Sequence, residues 1–176
     1  MKYNTHDQDE YLLQSNLLGA ESTDELEQLE RVAFYISASR LEKKGFDFLL
    51  PVSADSIREL HRFLFKDIYR FAGEIRSVTL MKDQTRFCEP GYIEDQLKEI
   101  FRELNFEGNW NSLEQAAKRL AYFKTELHMI HPFREGNGRT IRLIIREIAK
   151  SKGYVWHFET LDRAEYLEAM VCLFTD

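Results

Sequence analysis

His131-Pro132-Phe133-Arg134-Glu135-Gly136-Asn137-Gly138-Arg139-Thr140-Ile141-Arg142 puts a histidine, a carboxylate, two glycines around an amide and two arginines into twelve consecutive residues. On its N-terminal side Leu120, Phe123, Leu127 and Ile130 recur every three or four residues. On its C-terminal side Ile141, Ile144, Ile145 and Ile148 do the same, so each flank carries one apolar helical face. Between them Pro132 lacks an N–H and disfavours helix for the residue before it, while Gly136 and Gly138 permit positive φ and close approach of backbone to a ligand. The reading is a helix, a tight loop, and a second helix starting near Asn137 or Gly138.

That arrangement leaves backbone N–H groups unpaired at the start of the second helix and points its positive dipole end at the loop, which suits a phosphate. Arg139 and Arg142 are neighbours on that helix, and each offers a guanidinium fork to phosphate oxygens. Glu135 beside a phosphate is repulsive unless a cation lies between them. Mg²⁺, which binds through one or two carboxylates plus phosphate oxygens, removes the conflict, and Mn²⁺ suits the same donors. His131, at the loop entrance, has the side chain suited to take a proton near neutral pH. The residues together predict a Mg-nucleotide site with a general base.

This string resembles the signature of the Fic family, HPFx(D/E)GNGRxxR, at every fixed position, and Lys66-Asp67-Ile68-Tyr69-Arg70-Phe71-Ala72-Gly73-Glu74-Ile75-Arg76 resembles the segment that precedes that family's flap. The resemblance implies an all-α Fic-type helical bundle with a small β-hairpin flap, one domain over residues 1–176, the flap at about 75–88 and the active-site loop at 131–142. It implies protein adenylyl transfer: AMP passes from ATP to a Ser, Thr or Tyr hydroxyl of a target protein, or of the chain itself, and pyrophosphate leaves. On this resemblance His131 is the base and Glu135 holds Mg²⁺. Gly136, Asn137 and Gly138 form the anion cradle, Arg139 and Arg142 bind the outer phosphates, and Phe133 anchors the loop. Thr79, Leu80, Met81 and Lys82 in the flap dock the target through main-chain contacts of the β-augmentation kind. The related Doc toxins, which phosphorylate their target, have a bulkier residue at the place of Gly136 and lack the glycine matching Gly138; this sequence keeps both, which favours adenylylation.

The remainder sets bounds. With 176 residues the chain is long enough for a substantial core, and its net charge of −6 argues against a general affinity for nucleic acid or anionic membrane. No run of residues reads as a membrane span or signal segment, so the expected compartment is the cytoplasm. Cys88 and Cys172 lack metal-ligand spacing and read as reduced thiols.

Further helices are predicted over about 24–44, capped by Thr23 or Asp24 with Leu26, Leu29, Val32 or Ala33, Ile36 and Arg40 to Leu41 facing the core, and from Ser53 or Asp55 to Gly73. Two more follow, over about 92–104 and from a Ser112/Gln115 capping box into the motif. Leu161, Leu167, Met170, Val171 and Phe174 predict a last one. His61 reads as an exposed or satisfied histidine rather than a ligand, and His128 with His131 as an incomplete metal pair.

Fic proteins are commonly held inactive by a glutamate in a (S/T)xxxE(G/N) helix that pairs with the second motif arginine, here Arg142. The string Thr23-Asp24-Glu25-Leu26-Glu27 is followed by Gln28 and reads as a helix cap. The expected source of such a glutamate is therefore an antitoxin, or a C-terminal helix of a longer parent chain, and the chain as given is expected to be de-repressed. The competing readings are a Fic-fold enzyme that removes AMP or transfers another phosphate group, a toxin component silenced by its antitoxin, and a non-enzymatic nucleotide- or partner-binding module.

Overall fold

The computed structural model describes residues 7–157. The helix expected around Leu161–Phe174, and Cys172 with it, lies outside the described residues. Among the described residues the chain forms α1 (Asp7–Ser15), α2 (Thr23–Lys44), α3 (Ala54–Phe65), a two-stranded antiparallel hairpin of β1 (Met81–Lys82) and β2 (Thr85–Arg86), α4 (Ile93–Phe106), α5 (Leu113–Ile130) and α6 (Asn137–Ser151). Single 3₁₀ turns at Asp47–Leu49 and Pro90–Tyr92 join the larger elements. An all-helical fold with a small hairpin is what the sequence predicts.

The central pair is α5 and α6, joined by the loop that carries the motif. Phe123, Leu127 and Ile130 of α5 and Ile141, Ile144, Ile145 and Ile148 of α6 are buried, so both predicted apolar faces meet the same core. The helix α3 packs on α6 through Ile57, Leu60, Leu64 and Phe65, all fully buried. Local chemistry sets the starts. Ser112 accepts a hydrogen bond from Gln115 N–H at 3.1 Å, and the Gln115 side chain returns to Asn111 N–H at 2.8 Å. Ser53 and Ser56 form a reciprocal capping box on α3.

Three expectations need correction. The cap of α2 is Ser22, whose side chain accepts from Glu25 N–H, and not Thr23 or Asp24. The buried line of α2 is Leu26, Glu30, Ser37 and Leu41, while Leu29, Val32 and Ile36 are exposed. The helix is rotated away from its most apolar face because Glu30 has partners inside the molecule. Finally, α3 stops at Phe65 and not at Gly73. Residues 66–73 run through turns, held to the chain after α1 by Leu17 N–H to Ile68 C=O (2.8 Å) and Arg70 N–H to Ser15 C=O (3.1 Å). Those partners lie across the molecule and leave no local periodic signal.

Candidate active site

The loop begins with a strained residue. His131 caps α5 in the left-handed region (φ 47°, ψ 62°), where its N–H still reaches Leu127 C=O and the chain turns into Pro132. From there six successive carbonyls are taken by donors of the protein. Arg76 Nε donates to His131 C=O at 2.7 Å, Arg76 N–H to Pro132 C=O at 2.9 Å, and Asn137 Nδ2 to Phe133 C=O at 2.6 Å. Gln8 Nε2 donates to Arg134 C=O at 2.8 Å, His61 Nε2 to Glu135 C=O at 2.9 Å, and Thr140 N–H and Oγ1–H to Gly136 C=O, each at 3.0 Å. A loop whose carbonyls are all tied inward presents its amide edge outward, the polarity that an anion needs.

The ties come from four parts of the chain: α1 through Gln8, α3 through His61, the segment before the hairpin through Arg76, and α6 through Asn137 and Thr140. Phe133 is fully buried and stacks on His61 with ring centroids 3.8 Å apart. His61 accepts from Gly73 N–H on Nδ1 at 2.8 Å, which leaves the proton on Nε2 for the loop. Burial pushes its pKa down to about 3, so it stays neutral. Arg76, 3% exposed, also donates to Val78 C=O (2.5 Å) and Cys88 C=O (2.5 Å), clamping both arms of the hairpin to the end of α5. Sequence reasoning assigned no role to Gln8 or Arg76 and read His61 as an exposed or satisfied histidine, whereas it is fully buried. The isoleucine-arginine pair at the end of the flap-preceding string was the one available signal for Arg76.

The two glycines differ. Gly136 is the N-cap of α6 with φ 81°, and a Cβ there would sit 2.4 Å from the Phe65 ring. Gly138 has no such demand: a Cβ would meet nothing within 4 Å, so the space above it is open. Asn137 spends its side chain holding Phe133 at both N–H (2.8 Å) and C=O, which leaves its backbone N–H, with those of Gly138 and Arg139, for an anion.

His131 is buried. Its Nδ1–H donates to His128 C=O at 3.1 Å, which places the lone pair on Nε2. Its ring stacks on Phe87 of the hairpin at 3.8 Å. Burial first, then His128, Arg76 and Lys82, hold its pKa down to about 3. A neutral imidazole with its lone pair on Nε2 is therefore the resting form. The rings of His128 and His131 are 6.4 Å apart, and no group of three or more metal-ligating side chains exists among the described residues.

Glu135, also buried, accepts from Gly136 N–H at 2.9 Å and from Arg139 Nη2 at 3.3 Å. Arg139 lies between the rings of Phe34 and Phe65, 4.9 and 4.8 Å from their centroids, and meets Glu30 of α2. Glu30, Phe34, Glu135, Arg139 and Arg142 line a cleft of about 560 Å³, which Glu27, Arg31 and Tyr35 line as well, within the size range of small-ligand sites. In the hairpin Met81 and Lys82 are exposed, Thr79 Oγ1 donates to Glu89 at 3.0 Å, and Leu80 is fully buried against Phe87 with its carbonyl accepting from Phe87 N–H at 3.1 Å. Arg146 pairs with Glu42 at 2.7 Å and Glu147 at 2.9 Å, away from the cradle.

Residues 51–149 match the model of the Fic/DOC family. The chain belongs to the Fic/DOC family. It is 32% identical over 158 residues to "Protein adenylyltransferase VbhT" of Bartonella schoenbuchensis, covering 89% of this chain and 33% of that protein, so the chain spans about a third of that relative's length. It is 33% identical over 156 residues to "Probable protein adenylyltransferase y4lH" of Sinorhizobium fredii, over 86% of this chain and 78% of that one. Among solved structures, BepC of Bartonella tribocorum with bound AMPPNP superposes with a TM-score of 0.78 at 19% identity, covering 95% of this chain and 89% of that chain, a likeness of Fic fold.

Proposed function

We propose that this Fic chain is a protein adenylyltransferase that moves AMP from ATP to a Ser, Thr or Tyr hydroxyl of a target protein, or of itself. The observation that carries the reading is the tautomer of His131: its Nδ1–H is committed to His128 C=O, so Nε2 carries the lone pair of a base at the start of the loop that leads into the anion cradle. Two Fic relatives of comparable sequence carry adenylyltransferase names.

The chemistry follows from the chain's own groups. Asn137, Gly138 and Arg139 N–H groups and the α6 dipole receive the phosphates, and Arg139 and Arg142 neutralise the outer ones. The hydroxyl oxygen attacks the α-phosphorus, its proton passes to His131 Nε2, and the bond to the bridging oxygen breaks with release of pyrophosphate. Nearly all of the catalysis is positioning and charge neutralisation by a loop already fixed at six carbonyls. Glu135 is a buried carboxylate beside the cradle, a donor that fits Mg²⁺, or Mn²⁺, shared with phosphate oxygens. When bound, that ion supplies charge compensation between carboxylate and phosphates. Met81 and Lys82, the exposed part of β1, offer an edge to an extended target segment, while Thr79 and Leu80 hold the hairpin's shape. Phe133 anchors the loop from below. A glutamate brought to Arg142 by an antitoxin or an inhibitory helix would occupy the same cleft and silence the enzyme. An ATP-consuming reaction of this kind fits a cytoplasmic setting.

The test is the chemical identity of the adduct. Protein incubated with ATP, Mg²⁺ and a bacterial lysate is digested, and modified peptides are analysed by mass spectrometry. Adenylylated hydroxyl residues are expected; phosphorylated ones alone would overturn the reading in favour of phosphate transfer.

A further inference from the structure

We infer that Glu30, which lies outside the span matched to the family, is a positioning residue that holds the Arg139 guanidinium on the anion cradle, with Tyr69 holding Glu30 in turn. This rests on the ATP reading above and deepens it by adding two residues from elements that the motif does not reach.

Glu30 is 4% exposed, on a helix whose most apolar residues face out. Burying a carboxylate is unfavourable unless it is paired and hydrogen-bonded, so the rotation of α2 that buries it requires a compensating partner. Two are present. One carboxylate oxygen meets Arg139 Nη2, and the other accepts from Tyr69 Oη–H at 2.6 Å. Tyr69 is 1% exposed, and burial, then Glu30, drives its phenol well above the ordinary tyrosine range, so it stays a donor. It sits in the turns after α3, beside the bridge to Asn16. Glu30 is thus fixed from two sides and cannot follow a guanidinium that moves.

The geometry at Arg139 separates holding from blocking. Phe34 and Phe65 fix the plane of the guanidinium, and both Glu30 and Glu135 address Nη2. That leaves Nε and Nη1 for phosphate oxygens in the cleft that Arg139 lines. The glutamate expected from outside the chain pairs with Arg142; Glu30 instead addresses the first motif arginine. It also lacks the motif of such a glutamate, since Leu26 stands four residues before it and Arg31 follows.

The experiment is calorimetric titration of ATP with Mg²⁺ into the whole chain, wild type against Glu30→Ala, Glu30→Gln, Tyr69→Phe, Arg139→Ala and the Glu30→Ala/Arg139→Ala double variant. Adenylyl transfer is measured in parallel. Glu30→Ala is expected to weaken ATP binding about tenfold, the scale of coupling between groups in contact. Glu30→Gln keeps an oxygen for Nη2 and is expected to recover most of that, with Tyr69→Phe between them. In the Arg139→Ala background, removing Glu30 is expected to cost nothing further or to regain affinity, because its role runs through Arg139; a merely structural carboxylate would cost the same in both backgrounds. If Glu30→Ala does not fold, Glu30→Gln and Tyr69→Phe carry the test, and wild-type affinity in Tyr69→Phe with tighter binding in Glu30→Gln would overturn the inference. ATP binding by Glu30→Ala at wild-type strength or better would overturn Glu30's role while leaving the nucleotide reading standing. A wild-type chain that binds no ATP would overturn both.

Discussion

Gly136 and Gly138 stand two residues apart and answer to different constraints, which makes them a test at the residue scale. Gly136 needs both a positive φ and room beneath the Phe65 ring. Alanine there costs about 1–2 kcal/mol for the left-handed backbone alone, and the contact with Phe65 adds to it, so Gly136→Ala is expected to lower the melting temperature by several degrees. Gly138→Ala is expected to leave the melting temperature unchanged or raised, since the position is helical and open, yet to weaken ATP binding by filling the cradle. Thermal denaturation and calorimetry check both. Gly138→Ala binding ATP as tightly as wild type would show that the open space is not where the phosphates go. The sequence already marks both glycines as permissive; only the neighbour across the fold, Phe65, tells one reason from the other.

At the scale of elements, the hairpin, α5 and the motif loop are bound by one side chain. Arg76 donates to carbonyls of His131, Val78 and Cys88, and is itself buried. Arg76→Lys keeps the charge and loses the fork. Hydrogen bonds from a charged donor to buried acceptors make this worth about 2–3 kcal/mol, read as a shift in the urea midpoint, with transfer activity falling as the hairpin loosens from α5. A change under about 1 kcal/mol would mean that the hairpin is held by its own Leu80, Val78 and Phe87 cluster.

Element legibility follows the same logic. Helices α5 and α6 were readable because one apolar period matches one buried face, and their boundaries because Ser112, Pro132 and Gly136 are chemical punctuation. The face of α2 was not, because Glu30 is buried through partners on α6 and after α3 that have no sequence proximity. The end of α3 was missed for a related reason: Ile68 and Phe71 keep helical spacing while the backbone of Ile68 and Arg70 bonds to Leu17 and Ser15.

For the whole molecule, three histidines, His61 and His131 buried and His128 half-buried, set the response to acid. His61, His128 and His131 are each held neutral with pKa values pushed down to about 3, chiefly by burial. The unfolded chain binds protons at these sites near pH 6.5 while the folded chain does not, so stability rises with pH in this window. It is complete above pH 6.5 and falls as pH drops toward 3, by up to about 1.4 kcal/mol per pH unit for each histidine. The melting temperature is expected to fall steadily from pH 7 to pH 5, and a flat profile would contradict the burial of these rings. Their role was only partly legible: the sequence marks His131 by its motif, whereas the tautomer that makes it a base depends on a carbonyl of α5. The measurement that tests the account most directly pairs ATP labelled on the α-phosphorus with ATP labelled on the γ-phosphorus, using the purified chain, Mg²⁺ and a bacterial lysate, with His131→Ala alongside. Protein labelled from the α sample alone, reduced by about 10²–10⁴-fold in the variant as expected for loss of a general base, is the predicted result. Labelling from the γ sample, or α labelling that survives His131→Ala, would contradict it.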